Sequence, residues 1–163
     1  MKMANSAYMI GIDCGKSGGF AVSYNGIHCE PIPATDGDWV DTLREHRLIA
    51  SAENLCPIAY VEEVPSFCGK MIPSSRSFVL GKHYGFTLGA LQALGYEVRL
   101  VRPQAWQKAV GMTRTKGMGQ TAWKNKLKGE AQRRFPDLKI TLKTSDALLV
   151  LAHGLSDMSG KQI

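Results

Sequence analysis

The apolar positions of this chain fall first into short runs of strand character. Tyr8 to Asp13 is an apolar run closed by an acid, and "GFAVSY" (19–24) and "IHCEPI" (27–32) follow it. Asn25-Gly26, between the last two, is a strong hairpin signal. The glycine-rich turn at Gly15 to Gly19 also reverses the chain, which predicts a three-stranded antiparallel meander. "PIAYVEEV" (57–64) and "YEVRLVR" (96–102) supply a fourth and a fifth strand. Between the third and the fourth, "DWVDTLREHRLIASAE" predicts a helix with Asp36 as its N-cap. A long helix capped by Ser74 or Ser75 runs to about Gly95. "PQAWQKAVG" starts a short helix at Pro103, a residue suited to a first helical turn. A loop from Gly111 to Gly119 leads to a basic helix ending near "RRFP", and "SDALLVLAHG" forms the last helix from about Thr144. Antiparallel strands first and β-α alternation later predict an α/β architecture, a mixed five-stranded sheet covered by helices.

The long helix carries Gly81, Gly85 and Gly89 at i, i+4 and i+8, which places them on one face. Each costs about 1 kcal/mol relative to alanine inside a helix. Another backbone is therefore expected to pack there closely, either inside the domain or across a dimer.

Composition narrows the class. The 163 residues suit one domain, 1–163, with a full-sized core. The apolar runs are too short to span a membrane, and the N-terminal stretch does not read as a secretory signal. Cys14, Cys29, Cys56 and Cys68 lack Cys-x-x-Cys or zinc-finger spacing, so an intracellular, reduced protein is expected. The net charge is +6, but Val98 to Lys139 holds eleven Lys/Arg against Glu130 and Asp137, a local +9. Such a concentration suits a polyanion, with nucleic acid the first candidate, or else a solvated surface.

The stretch "GIDCGKSGGF" (11–20) resembles a phosphate loop but fails its spacing. Only three residues separate Gly11 from Gly15 where a P-loop has four, and a strand rather than a helix follows. No nucleotide cofactor is expected. What remains is Asp13 at the end of a central strand, costly there unless paired or bound to a cation. Glu62 and Glu63 end the fourth strand, and alternation allows only one of them to join a shared site. Asp146 sits in the first turn of the last helix. Two strand-end carboxylates and one on a facing helix make a hard oxygen site suited to Mg²⁺ or Mn²⁺.

These residues resemble the RuvC-type Holliday junction resolvases of the RNase H-like (retroviral integrase) superfamily. "IGIDCGKSGGFAV" resembles the first strand with its metal-binding Asp, "YVEEVP" the second acidic motif with Glu62 first, and "SDALLVLAHG" the closing motif with Asp146. "RPQAWQKAVG" and the helix from Lys124 to Pro136 resemble the phage and organellar branch. The resemblance implies an RNase H-like fold with helices on both faces of the sheet. It also implies a homodimer cutting four-way DNA junctions by paired symmetric nicks, leaving 5′-phosphate and 3′-hydroxyl ends. Asp13, Glu62 and Asp146 would be catalytic and hold two Mg²⁺ or Mn²⁺ ions, with His153 or Glu63 as further candidate ligands. Lys143 stands where bacterial members carry a fourth acid. Lys16, Arg76, Lys82, Arg114, Lys116, Lys124, Lys126, Lys128 and Lys143 are the expected DNA contacts, and Phe67 a candidate junction wedge.

Two alternatives stay open: a branched-DNA-binding protein that has lost catalysis, and a nuclease of the same fold acting on other DNA or on RNA–DNA hybrids. Sugar kinases and actin-like ATPases share the "G-I-D-x-G" opening, but they enclose ATP between two such domains.

Overall fold

Among the described residues, ten regular elements form in the predicted order. The computed structural model describes residues 7–66 and 73–160. The strands are β1 (Met9–Ile12), β2 (Gly19–Ser23), β3 (Ile27–Pro31), β4 (Ile58–Glu62) and β5 (Glu97–Val101). The helices are α1 (Asp36–Ala52), α2 (Ser74–Ala93), α3 (Pro103–Ala109), α4 (Gln120–Arg134) and α5 (Ser145–Ser159). The sheet order is β3-β2-β1-β4-β5, the first three strands antiparallel and β4 and β5 parallel to β1. This is the mixed five-stranded sheet with an antiparallel meander expected from the sequence.

Strand alternation divides the core in two. Met9, Ala21 and Tyr60 point toward α3, α4 and α5, whereas Tyr8, Ile10, Ile12, Val22, Ala59 and Val61 point toward α1 and α2. Helices thus cover both faces, which is why β1 and β4 read as nearly continuous apolar runs. No helix among the described residues is long and apolar enough to cross a membrane.

The α5 helix lies unusually close to the sheet. A Cβ at Gly11 of β1 would stand 2.5 Å from the Ala147 carbonyl oxygen and 2.6 Å from the Leu151 nitrogen. At Gly19 of β2 it would strike the Lys143 carbonyl, and at Gly154 of α5 it would lie 2.6 Å from the Tyr60 ring. Glycine at these three positions removes the side chains that would hold helix and sheet apart.

Several local expectations change. Thr35, not Asp36, caps α1, its hydroxyl accepting the Asp38 N–H at 3.1 Å. Pro73 stands at the cap of α2, and neither Ser74 nor Ser75 takes that role. The glycine stripe of α2 does not meet another backbone inside the domain. Gly81, Gly85 and Gly89 are exposed, and a methyl group on any of them would find nothing within 4 Å among the described residues.

The close approach of α5 has a measurable consequence. Gly11→Ala should destabilise the fold by about 1–3 kcal/mol, the usual cost of overpacking. Urea denaturation of the variant against wild type measures it.

Candidate active site

Three carboxylates, Asp13, Glu62 and Asp146, lie within electrostatic reach of one another at the C-terminal end of β1 and β4. The pairing of Ile12 with Val61 sets Asp13 level with Glu62. The Asp13 amide donates to the Gly19 carbonyl at 3.0 Å, and the Gly15 amide reaches its Oδ1 at 3.4 Å. The turn between them closes through Gly18 N–H on the Gly15 carbonyl at 2.8 Å, and a Cβ at Gly18 would collide with the Asp13 carbonyl. Gly18 is therefore demanded by the turn itself rather than by a ligand. Asp146, the second residue of α5, is buried, and the Ser145 hydroxyl donates to its Oδ1 at 3.3 Å. The proximity of α5 to Gly11 brings Asp146 beside Asp13.

Two further side chains complete the group, and neither role was foreseen from the sequence. Lys124, on α4, extends its ammonium onto Oδ2 of Asp146 as an ion pair and hydrogen bond. Trp106, on α3, donates its indole N–H to Oε2 of Glu62 at 2.8 Å. These contacts join residues 22 and 44 positions apart, so no local spacing announces them.

The electrostatics follow from crowding like charges in a poorly solvated place. Burial raises the Asp13 carboxyl above its ordinary range, and the negative charge of Asp146 adds to it; Lys124 and the Gly15 amide pull it back. Burial, then Asp13, then Asp146 push Glu62 up to about 8, against the opposing pull of the Trp106 hydrogen bond and Lys124. Burial works against the Lys124 charge, but Asp146, joined by Asp13 and Glu62, outweighs it and raises the ammonium. Lys124 is thus the local counter-charge of all three acids.

The donor set is chemically suited to a hard divalent cation, since it offers carboxylate oxygens alone. Among the described residues, however, no three Asp, Glu, His or Cys groups converge on a ready-made ion position. The mutual influence of the acids and the missing convergence are compatible. The carboxylates act on one another at electrostatic range, while the nearest cation, Lys124, sits directly on Asp146. An ion held by Asp13, Glu62 and Asp146 would need the Lys124 ammonium to give way.

The other candidates scatter. Glu63 turns away from Glu62, as alternation requires, and pairs with Arg102 at 3.4 Å. His153 lies edge-on to Tyr60; burial lowers its basicity, and the charge of Asp157 works against that. Glu63 and His153 line a separate cleft of about 440 Å³ with Arg99 and Arg102, away from the three acids. The structure gives no support to either as a ligand partner of Asp13. Lys16 and Arg76 come together along a groove of about 330 Å³ between the opening turn and the start of α2. Lys82, Lys116, Lys126 and Lys143 are exposed and Lys128 half-buried. Arg114 braces its own loop, donating to the Met118 carbonyl at 2.8 and 3.1 Å. Phe67 lies outside the described residues.

No protein-family model matches the chain, and no curated protein sequence does. Solved structures do match. The RuvC structure of Thermus thermophilus superposes with a TM-score of 0.58 at 15% identity, covering 94% of this chain and 97% of that one. T. thermophilus RuvC in complex with Holliday junction substrate gives 0.56 at 13% identity, covering 95% and 97%. The chain has a RuvC-like fold.

The raised Glu62 carboxyl sets a pH dependence. Its folded value of about 8 lies above the ordinary ~4.3 of an unfolded glutamate. Between these values the native chain binds more protons than the unfolded one, so stability falls as pH rises from about 4.5 to 8. Denaturation at pH 5, 6.5 and 8 in chelator should show this decline, and Glu62→Gln should flatten it.

Proposed function

We propose that this chain is a divalent-metal-dependent endonuclease that resolves four-way DNA junctions. The observation that carries the proposal is the meeting of Asp13, Glu62 and Asp146 at one end of the sheet in a RuvC-like fold. A matching structure of that fold is of a RuvC bound to Holliday junction substrate, which supports branched DNA as the partner. The "RPQAWQKAVG" segment and the basic α4 further suggest the phage and organellar branch.

Asp13, Glu62 and Asp146 would hold Mg²⁺ or Mn²⁺. A divalent ion supplies there the Lewis acidity that activates water and stabilises a leaving oxygen. In-line attack on phosphorus with loss of the 3′ oxygen leaves 5′-phosphate and 3′-hydroxyl ends. Half-burial of Asp13 and Glu62 limits competing water and strengthens each carboxylate's pull on a cation. Lys124 pairs with Asp146 and, with a cation in its place, would be free to meet a phosphate. Lys16 and Arg76, in one groove beside the opening turn, would grip the strand leading to the site. Exposed Lys82, Lys116, Lys126 and Lys143 extend that basic track.

Paired nicks need two sites, and α2 offers a surface for a second copy. Phe78, 74% exposed, shares a helical stripe with the bare Gly81, Gly85 and Gly89. That stripe admits another helix at short distance. Gly85→Leu should therefore shift the protein from dimer to monomer in sedimentation analysis without lowering its thermal stability at monomer concentrations.

The ion pair of Lys124 with Asp146 favours a second reading, a junction-binding protein without catalysis. One experiment separates the two. Wild type, Asp13→Asn and Asp146→Asn are incubated with a labelled four-way junction, a duplex and an RNA–DNA hybrid in Mg²⁺ or Mn²⁺. Symmetric junction nicks are expected from wild type, with losses in both variants exceeding the roughly 10–100-fold typical of an outer-shell partner. Junction binding with no cutting by any form would establish the binding protein instead.

A further inference from the structure

We propose that Trp106 is a positioning residue for Glu62, holding its carboxylate in the orientation that accepts a divalent cation. The inference rests on the metal-site reading above and goes beyond it, because no acid motif includes this residue.

The indole is fully buried among Val110, Leu127 and Leu148, between α3, α4 and α5. Filling that space requires only an aromatic ring, and phenylalanine would do so without a polar atom. A buried indole N–H instead demands an acceptor. Here the acceptor is Glu62 Oε2 at 2.8 Å, a carboxylate at the mouth of the acid group. The chain path makes this contact reproducible. Val101 pairs with Glu62 in the sheet, Arg102 turns the backbone, and Pro103 starts α3 with its fixed φ. Trp106 then falls in the first turn, over the end of β4. One N–H on Oε2 leaves Oε1 and the remaining lone pairs free for a cation. Outer-shell hydrogen bonds of this kind orient metal-ligating carboxylates, and their loss typically costs about 10–100-fold in metal affinity. Trp39 provides an internal control. Its buried indole donates to the Thr87 hydroxyl at 3.1 Å on the opposite face of the sheet.

Two measurements test the role without relying on catalysis. In the first, the Mn²⁺ concentration giving half of the maximal rise in Tm is compared for wild type and Trp106→Phe. It should be about 10–100-fold higher in the variant; an equal midpoint would overturn the proposal. The second leaves the ring in place and decides the matter if Trp106→Phe does not fold. The three tryptophan indole N–H resonances, assigned with Trp39→Phe and Trp123→Phe, are followed during Mg²⁺ titration of wild type. The Trp106 signal should move with the Tm and the Trp39 signal should stay. A Trp106 signal that holds still while Mg²⁺ raises the Tm would overturn positioning. A wild type whose Tm answers to neither ion would overturn the metal-site reading beneath it.

Discussion

The approach of α5 to the sheet is the contact on which the rest of the structure depends. A helix normally stands off from a sheet because close-packed side chains fill the gap. Here β1 and β2 offer bare backbone at Gly11 and Gly19, and α5 offers Gly154 to the Tyr60 ring. The helix settles against the strands, and its buried residues, Ala147 to Leu151, belong to one of the two cores. The same closeness carries Asp146, in the first turn of α5, to the side of Asp13. A bulkier residue at Gly11 would therefore disturb stability and chemistry together.

Bringing acids so close has an electrostatic cost that the surrounding helices moderate. Asp13 and Glu62 are both driven toward the protonated form, first by burial and then by neighbouring charge. The moderating groups come from elements with no acid of their own in the site, Lys124 from α4 and Trp106 from α3. One supplies a charge and the other a directed hydrogen bond. The site thus carries its own internal cation, Lys124 on Asp146.

Much of the framework was legible because it is local. Period-two apolar runs, Asn25-Gly26 and the helix-starting Pro103 mark their elements within a few residues, and the element order then restricts the sheet to very few arrangements. Alternation allowed only one of Glu62 and Glu63 into a shared site, the resemblance pointed to Glu62, and the observed pairing of Glu63 with Arg102 agrees. Capping was less legible. Thr35 competes with Asp36 for the same amides, and one residue's difference in backbone angle decides between them. The glycine stripe of α2 illustrates a sharper limit. Period 3.6 places Gly81, Gly85 and Gly89 on one face, but the same pattern serves a buried face and a bare one equally well.

By itself, then, the sequence determined the elements, their order and the three acids at their ends, since each depends on chemistry within a few residues. Only the tertiary structure decided which side chains share a space. Lys124 was one cation among many in a basic stretch until α4 packed beside α5 and laid it on Asp146. Trp106 had no role of its own in the sequence until the β5–α3 connection carried its N–H to Glu62. His153 shares a helix with Asp146 yet faces Tyr60 and Asp157 instead. Such contacts join residues far apart along the chain, and their distances follow from how helices sit on the sheet, which no local pattern encodes.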